Sequence, residues 1–498
     1  SPNARELRQD SRADYELTSE LYSMVLEWDL EAFSIKSLTS YQNDDVLINR
    51  DNDRNDLAVL APFAQLPSVY VPETNKQKTI TQEINLISGA PLFGKMDWVA
   101  GVFYLDTEVE ISIRELLDFN FNGTFDPFTL AQVFAFDDTA EIGVISDSKP
   151  ERDSTSIYGQ GTWNFNDEWR AVFGLRYTED EVYSAVTNFY GRTGTDIIEM
   201  DSEKVTGRLV LEHDFSDSTM GFASYTRGFK PGGSNLTYGL ESVVAPVVVL
   251  PTFDEEIVDA FEIGLKTDLA DGRVRLNAAA FFYNYEGLQY QATDPEVFQG
   301  GVGNIPESEI LGAEIELSAF LSDSVILDVR LAWLDTEITA DHLALDNVQS
   351  EAAGNALIGQ GFNLFSDEIQ VARSAAVQNV NGNELAKTPE FTGNIALNWN
   401  KNITAGEVNS SLQYTYRGEF KHRIFNNAVT DIVPSYDVID LVVGFRPEGK
   451  DWRVEFIAKN LTDEDGINAR FTDVFGVGAT GDELIGPRQF MARFAMDF

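Results

Sequence analysis

The stretch "FTGNIALNWN", residues 391–400, alternates between apolar and polar or small side chains at almost every position. One face is apolar and carries Phe391, Ile395, Leu397 and Trp399 beside Gly393. The other face holds a threonine, an alanine and the asparagines. Successive side chains of a β-strand point to opposite sides of the sheet, so this alternation predicts a strand with one apolar and one polar face.

The same alternation recurs along the whole chain and predicts about seventeen strands, which defines an all-β protein. The predicted strands cover residues 19–29, 32–48, 77–89, 96–110, 154–165, 168–188, 199–215, 218–229, 256–269, 273–290, 305–320, 324–336, 389–400, 406–418, 434–446, 451–461 and 488–498.

The connections between these strands fall into two sets of very different length. Short polar turns such as "NFNDEW" and "DLADGR" alternate with long connections at residues 49–76, 111–153, 230–255, 337–388 and 462–487. Strands with one apolar face would suit a soluble sandwich or a barrel in lipid. The unequal connections, a last strand that ends on Phe498 and aromatic residues near strand ends favour a transmembrane antiparallel β-barrel. Those aromatic residues are Trp28, Trp98, Trp333, Trp399, Tyr436 and Trp452.

The composition narrows the choice of partners. The chain has 36 Lys and Arg against 81 Asp and Glu, a net charge of −45, which disfavours nucleic acid because phosphates would be repelled. Such a balance fits a solvated acidic surface or the binding of cations and basic ligands. With no cysteine, the chain has no disulfide, thiolate metal site or cysteine nucleophile.

The number of strands also predicts that the barrel is incomplete. The first and last predicted strands run in the same direction, whereas single-chain bacterial barrels close with an even number of antiparallel strands. The sequence therefore predicts an odd number of further strands, preceding Ser1.

Several stretches resemble the barrel of TonB-dependent outer-membrane receptors. "ASYTRGFKPGG" (223–233) is similar to a mid-barrel strand of that family, and residues 255–289 are similar to its next hairpin, with Glu262, Gly264 and Lys266 in place. The strand "ESEILGAEIELSAF" (307–320) carries Gly312 and Glu314. The stretches "KNLTDED" (459–465) and "GPRQFMARFAMDF" (486–498) resemble the closing hairpin.

The resemblance implies an outer-membrane active transporter of a Gram-negative bacterium, with residues 1–498 forming the C-terminal part of a barrel of about 22 strands. It implies import of a bulky scarce nutrient, a ferric siderophore being favoured over an oligosaccharide or a corrinoid. Expected partners are the TonB–ExbB–ExbD complex, outer-membrane lipid and lipopolysaccharide, and a plug domain or surface lipoprotein. The plug and the segment that engages TonB are absent from these residues.

Candidate site residues are few. Loop 111–153 is rich in phenylalanine and forms either an aromatic lip for ligand or its own small core or hairpin; the ligand candidates are Phe119, Phe121, Phe125 and Phe128. The last strand, with Phe490, Phe494 and Phe498, is expected to close and assemble the barrel. Inward polar residues are expected to be structural or to face the plug; they are Asp328, Arg330, Asn394, Asn398, Arg453, Glu455 and Lys459.

No enzyme chemistry is predicted. His213, His342 and His422 lie far apart in the sequence without partners at metal-binding spacing, and no nucleophile-elbow pattern occurs. We therefore expect no catalytic residues and no cofactor, and the metal-binding residues, if any, stay unassigned. The alternatives to an active importer are a passive porin-like channel and, less favoured, an outer-membrane lipase.

Overall fold

The computed structural model describes residues 13–51, 68–114, 116–118, 145–187, 195–235, 250–294, 299–362, 366–472 and 480–496. These residues form strands almost throughout. The first thirteen strands are β1 (Asp14–Asp29), β2 (Phe33–Asp51), β3 (Ser68–Ser88), β4 (Met96–Arg114), β5 (Leu116–Asp118), β6 (Ile145–Asn164), β7 (Trp169–Thr187), β8 (Asp196–Ser216), β9 (Thr219–Lys230), β10 (Gly233–Ser234), β11 (Thr252–Phe253), β12 (Glu256–Leu269) and β13 (Val274–Asp294).

The second half continues with two short helices, α1 (Asn347–Ile358) and α2 (Asp367–Ser374), between strands β16 and β17. Its strands are β14 (Gln299–Ser322), β15 (Val325–Ile338), β16 (Leu343–Leu345), β17 (Val377–Asn379), β18 (Phe391–Ile403), β19 (Gly406–Arg417), β20 (Phe420–Lys421), β21 (Ile432–Val433), β22 (Tyr436–Pro447), β23 (Trp452–Lys459), β24 (Ile467–Thr472), β25 (Thr480–Leu484) and β26 (Gln489–Met496).

One sheet contains eighteen strands, which are seventeen long strands and the three-residue β5. Each long strand pairs antiparallel with the next long strand along the chain, from β1 to β26. Among the residues described, no ladder joins β1 to β26. Since the number of long strands is odd, these two edge strands run in the same direction, as the sequence predicted.

The apolar faces of the strands are exposed rather than packed against a second sheet. Leu175 is 68% exposed, Ile263 64% and Leu209 55%, although all three lie in the middle of long strands. A soluble sandwich would bury these positions, so their exposure confirms a barrel whose outer surface faces lipid. Tyr436 departs from the prediction because it pairs with Arg417 on the opposite, inward face, where its ring lies against Gly466.

All seventeen predicted strands are present, but many extend further toward the long connections than the alternation indicated. Strand β3 begins at Ser68 rather than residue 77, and β6 begins at Ile145 rather than residue 154. The added segments pair in register, for example Lys76 with Glu110. Outside the lipid both faces of a strand meet water, so the backbone ladder continues while the apolar periodicity is lost.

The helices were not predicted, although local sequence favours them. Asp346 caps α1 by accepting a hydrogen bond from the Val348 N–H at 3.1 Å, and the helix then runs through several alanines. Neither helix, nor any other helical segment within the described part of the chain, is long and apolar enough to cross a bilayer.

Two inward glycines of the family-like strands are covered by aromatic rings. Phe222 of β9 lies over Gly264 of β12, and Phe281 of β13 lies over Gly312 of β14. A Cβ atom at either glycine would collide with the ring, because the ring occupies the space where the side chain would stand. This close packing explains why the sequence has glycine at these strand positions.

Replacing Gly312 with alanine is expected to destabilise the barrel by about 1–3 kcal/mol, because Phe281 must leave its place. The midpoint of urea-induced unfolding in detergent micelles measures the change. Gly159→Ala in β6 is the matched control, because its new methyl group would meet no atom closer than 3.7 Å. Equal midpoints for the two variants would contradict this account of the packing.

Candidate functional site

Three long connections pack together at one end of the barrel and form what we call the loop cluster: the described parts of residues 339–390, 418–435 and 460–488. The cluster has its own apolar core of buried residues from β14, β15 and the first two connections; these are Ile305, Ile338, Ala344, Val380, Leu385 and Ile424. Asn383 Nδ2 donates to the Ile424 carbonyl at 2.8 Å, and Lys387 N–H donates to the Lys421 carbonyl at 2.7 Å. The connections are therefore folded against one another.

A largely buried arginine joins the first two connections of the loop cluster. The Arg423 guanidinium contacts Asp346 at 2.8 Å and Asp431 at 2.6 Å, and both carboxylates are fully buried. It also donates to Asn347 Oδ1 at 2.7 Å and Thr430 Oγ1 at 3.2 Å. Buried charges are costly unless they are paired and hydrogen-bonded. The Arg423 guanidinium therefore offsets the free-energy cost of burying the two carboxylates.

The third connection is held by neighbouring polar contacts. Arg470 of β24 donates to the Ile432 carbonyl at 2.7 Å and forms a two-point ion pair with Asp482 of β25 at 2.7 and 3.0 Å. His422 Nε2 and Thr472 Oγ1 lie 3.1 Å apart, and both residues are buried. The loop cluster therefore behaves as one packed unit that spans three connections.

The helices are attached to the same unit. A buried ion pair joins Glu351 of α1 to Arg373 of α2 at 3.1 Å. Tyr290 packs against the apolar core, its Oη lies 3.0 Å from His342 Nε2, and burial raises the pKa of the tyrosine to about 12. Tyr290 also packs against Val186 and Ile198, so the upper part of β13 links the loop cluster to β7 and β8.

Several of the inward polar residues named from the sequence bond to polar side chains on neighbouring strands. Asn398 Nδ2 donates to Asp328 Oδ2 at 2.8 Å, and Asn394 Nδ2 donates to Thr415 Oγ1 at 2.8 Å. Lys459 Nζ lies 2.7 Å from Asp440 Oδ2. These contacts give the inner wall a hydrogen-bonded polar surface.

The phenylalanines and histidines singled out from the sequence lie in several different settings. Phe119, Phe121, Phe125, Phe128 and Phe498 lie outside the described residues. Phe490 and Phe494 are exposed on the apolar face of β26, at 60% and 64%. The three histidines have different partners: His213 stacks on Trp169, whereas His342 and His422 bond to Tyr290 and Thr472. Within the described ranges no group of three His, Asp or Glu side chains has a geometry that could hold a metal ion.

Sequence reasoning missed the residues that organise the loop cluster. Asp346, Arg423 and Asp431 lie in connections without periodicity, and the pairs they form join positions as far apart as 77 residues. The available local signal was the helix cap at Asp346 ahead of an alanine-rich segment.

An antiparallel barrel with a lipid-facing apolar surface, short turns at one end and packed long loops at the other defines the class of outer-membrane β-barrel proteins. The chain belongs to the family described as TonB dependent receptor-like, beta-barrel, which matches residues 1–461. The family consists of Gram-negative outer-membrane transport receptors rather than enzymes. The long-loop end is therefore the extracellular end, and the short turns face the periplasm.

Curated relatives match part of the chain. The metal-pseudopaline receptor CntO of Pseudomonas aeruginosa is 25% identical over 194 residues, which are 38% of this chain and 25% of that protein. The probable TonB-dependent siderophore receptor PiuA of Acinetobacter baumannii is 26% identical over 191 residues, which are 38% of this chain and 24% of that protein. The matched region is therefore about a quarter of the length of either relative.

Solved structures share the fold at low sequence identity. The ferric yersiniabactin uptake receptor FyuA from Yersinia pestis superposes with a TM-score of 0.71 at 13% identity, over 98% of this chain and 62% of that one. The siderophore receptor PiuA from Acinetobacter baumannii superposes with a TM-score of 0.70 at 15% identity, over 98% and 66%.

Proposed function

We propose that the protein imports a bulky, scarce nutrient across the outer membrane with energy delivered by TonB. The observation that carries this proposal is the loop cluster at the extracellular end, where an apolar core and buried ion pairs hold long connections together as one unit. A recognition surface that is already ordered lowers the entropy cost of capturing a dilute ligand. A ferric siderophore is the favoured cargo because PiuA of Acinetobacter baumannii is a siderophore receptor and FyuA is an uptake receptor for ferric yersiniabactin.

The remaining parts of the transporter are also proposals. An odd number of further strands would close the sheet between β1 and β26, with residues 1–498 serving as the C-terminal part of the barrel. A plug domain would fill the lumen against the polar inner wall and would engage TonB–ExbB–ExbD. Phe119, Phe121, Phe125 and Phe128 would contact ligand, whereas Phe490, Phe494 and Phe498 would guide assembly. Lipopolysaccharide would surround the apolar outer surface of the barrel, and a surface lipoprotein would cover its extracellular opening.

Uptake of radioactive iron by cells tests the proposal. Cells that lack the full-length gene are expected to lose uptake of iron presented with a siderophore that the protein binds, and cells without TonB are expected to show the same loss. Uptake should return when the full-length gene is restored.

Two outcomes separate the alternatives. Uptake that persists without TonB, together with steady conductance of the full-length protein in planar bilayers, would identify a passive porin-like channel. TonB-dependent uptake of an oligosaccharide or a corrinoid, without uptake of iron, would support energy-coupled import and would contradict the ferric siderophore as the transported substrate.

A further inference from the structure

The upper end of the β13–β14 hairpin lies between two different loop structures. One is the loop cluster. The other is what we call the stem, the described ends of the connection between β9 and β12, residues 231–235 and 250–255, in which β10 and β11 pair with each other. At this level Gln289 of β13 pairs with Asn304 of β14. Successive side chains of a strand point to opposite faces, so this amide pair faces away from the side chains next to it.

The side chains next to the amide pair attach the hairpin to the loop cluster. Ile305 is fully buried in the apolar core of the cluster, and Leu288 and Tyr290 pack against that core. Leu288 and Ile305 also pair with each other across the hairpin. One face of the hairpin is therefore held in place by the packing of the loop cluster.

The amide pair attaches the opposite face of the hairpin to the stem. Gln289 Nε2 donates to the Pro231 carbonyl at 2.9 Å and to the Asp254 carbonyl at 3.1 Å. Asn304 Nδ2 donates to the same Asp254 carbonyl at 2.9 Å, and Asn304 Oδ1 accepts a hydrogen bond from the Asp254 N–H at 2.8 Å. Pro231 has no N–H with which to continue a strand ladder, so these side chains hold both ends of the stem instead.

A third amide fixes the stem to β14. Asn235 is 4% exposed; its Nδ2 donates to the Val302 carbonyl at 2.9 Å, and its Oδ1 accepts from the Val302 N–H at 2.8 Å. The same Nδ2 donates to the Leu250 carbonyl at 2.9 Å and so closes the stem. Gly287 permits this close approach, because its φ is +68° and a Cβ atom there would lie 2.5 Å from the Glu255 carbonyl oxygen.

We propose that the upper β13–β14 hairpin couples the stem to the loop cluster, with Asn235, Gln289 and Asn304 as positioning residues, so that both loop structures open and close together. The amide hydrogen bonds need the hairpin in its place, and the hairpin keeps this place while its apolar face stays packed. Disturbing either loop structure therefore weakens the other, and the coupling acts equally in both directions. A ligand held by the loop cluster would also fix the stem; this consequence rests on the proposed function, whereas the coupling itself does not.

Hydrogen–deuterium exchange of the full-length protein at pH 7 tests the coupling without any ligand. Asn304→Asp replaces the amide donor with a carboxylate oxygen that repels the Asp254 carbonyl, so the stem peptide 250–255 is expected to exchange faster. The coupling predicts about tenfold faster exchange of the loop-cluster peptides 418–435 in the same variant. Arg423→Met is expected to accelerate exchange of the stem peptide in return. In the double variant, the two effects on each peptide should combine to less than their product.

The matched control is Asn402→Asp, which makes the same change at the exposed periplasmic end of β18 and should leave both peptides unchanged. Faster exchange of the stem alone in Asn304→Asp would overturn the proposal. Effects that multiply in the double variant would show two independent structures, and equal acceleration in Asn402→Asp would show a general loss of stability. Gln289→Met removes two donor bonds and serves as the test variant if Asn304→Asp does not assemble. Iron uptake is measured separately, so failure of the proposed function would leave this result standing.

Discussion

Replacement of Arg423 with methionine is expected to open the loop cluster while the barrel stays folded. The substitution keeps much of the apolar stem and removes the guanidinium, so Asp346 and Asp431 are left buried without their cation. Removing one partner of a buried ion pair costs about 3–5 kcal/mol, which is large against the stability of a loop unit. We therefore expect the variant to lose ligand binding and transport.

Hydrogen–deuterium exchange of the full-length protein checks this result. Peptides from residues 340–360, 418–435 and 466–472 should exchange faster in Arg423→Met, whereas peptides from β18 and β19 should not change. The control is Arg488→Met, which breaks an exposed ion pair between Arg488 and Asp463 at 3.3 Å. An exposed ion pair contributes about 0–1 kcal/mol to stability, so this variant should change exchange little. Faster exchange in only one of the three connections would contradict the description of the cluster as one unit.

Acid is expected to loosen the same cluster. Burial lowers the pKa of His422 from 6.5 to about 4, with a smaller opposing attraction from Asp431 and further lowering by Arg423 and Arg470. Between these two pH values the unfolded loop binds a proton that the folded loop rejects. The loop cluster therefore loses stability as the pH falls from about 6.5 to about 4. At about 1.4 kcal/mol per pH unit, the total loss is about 3 kcal/mol.

The variant His422→Gln is expected to flatten this dependence, because glutamine can still bond to Thr472 and does not titrate. Burial also lowers the pKa of His342, so part of the dependence should remain. Hydrogen exchange of peptides from residues 418–435, measured at pH 7 and pH 4.5 and corrected for intrinsic rates, gives the free energy of opening at each pH. The difference between the two values gives the pH dependence of stability. A slope in His422→Gln as steep as in the wild type would assign the effect to other groups.

The barrel could be predicted from sequence because its signal is local. A lipid-facing strand must alternate at every second residue, and "FTGNIALNWN" shows this within ten residues. Strand number and the shared direction of the edge strands followed from counting such segments, whereas the family followed from the resemblance of particular stretches such as "ASYTRGFKPGG". The upper ends of strands such as β3 and β6 were missed because water on both faces imposes no apolar pattern there.

The loop cluster could not be predicted in the same way. Asp346, Arg423 and Asp431 stand in polar connections, and nothing near them in sequence shows that two carboxylates will be buried against one guanidinium.

The sequence by itself therefore determined an antiparallel outer-membrane barrel, because the bilayer imposes a two-residue period that recurs in every strand, and its resemblance to known receptor strands indicated the family. Only the tertiary structure decided which loops pack together and which buried charges neutralise each other. Those features arise from contacts between residues distant in the chain, whose energies depend on burial and geometry that no local pattern specifies.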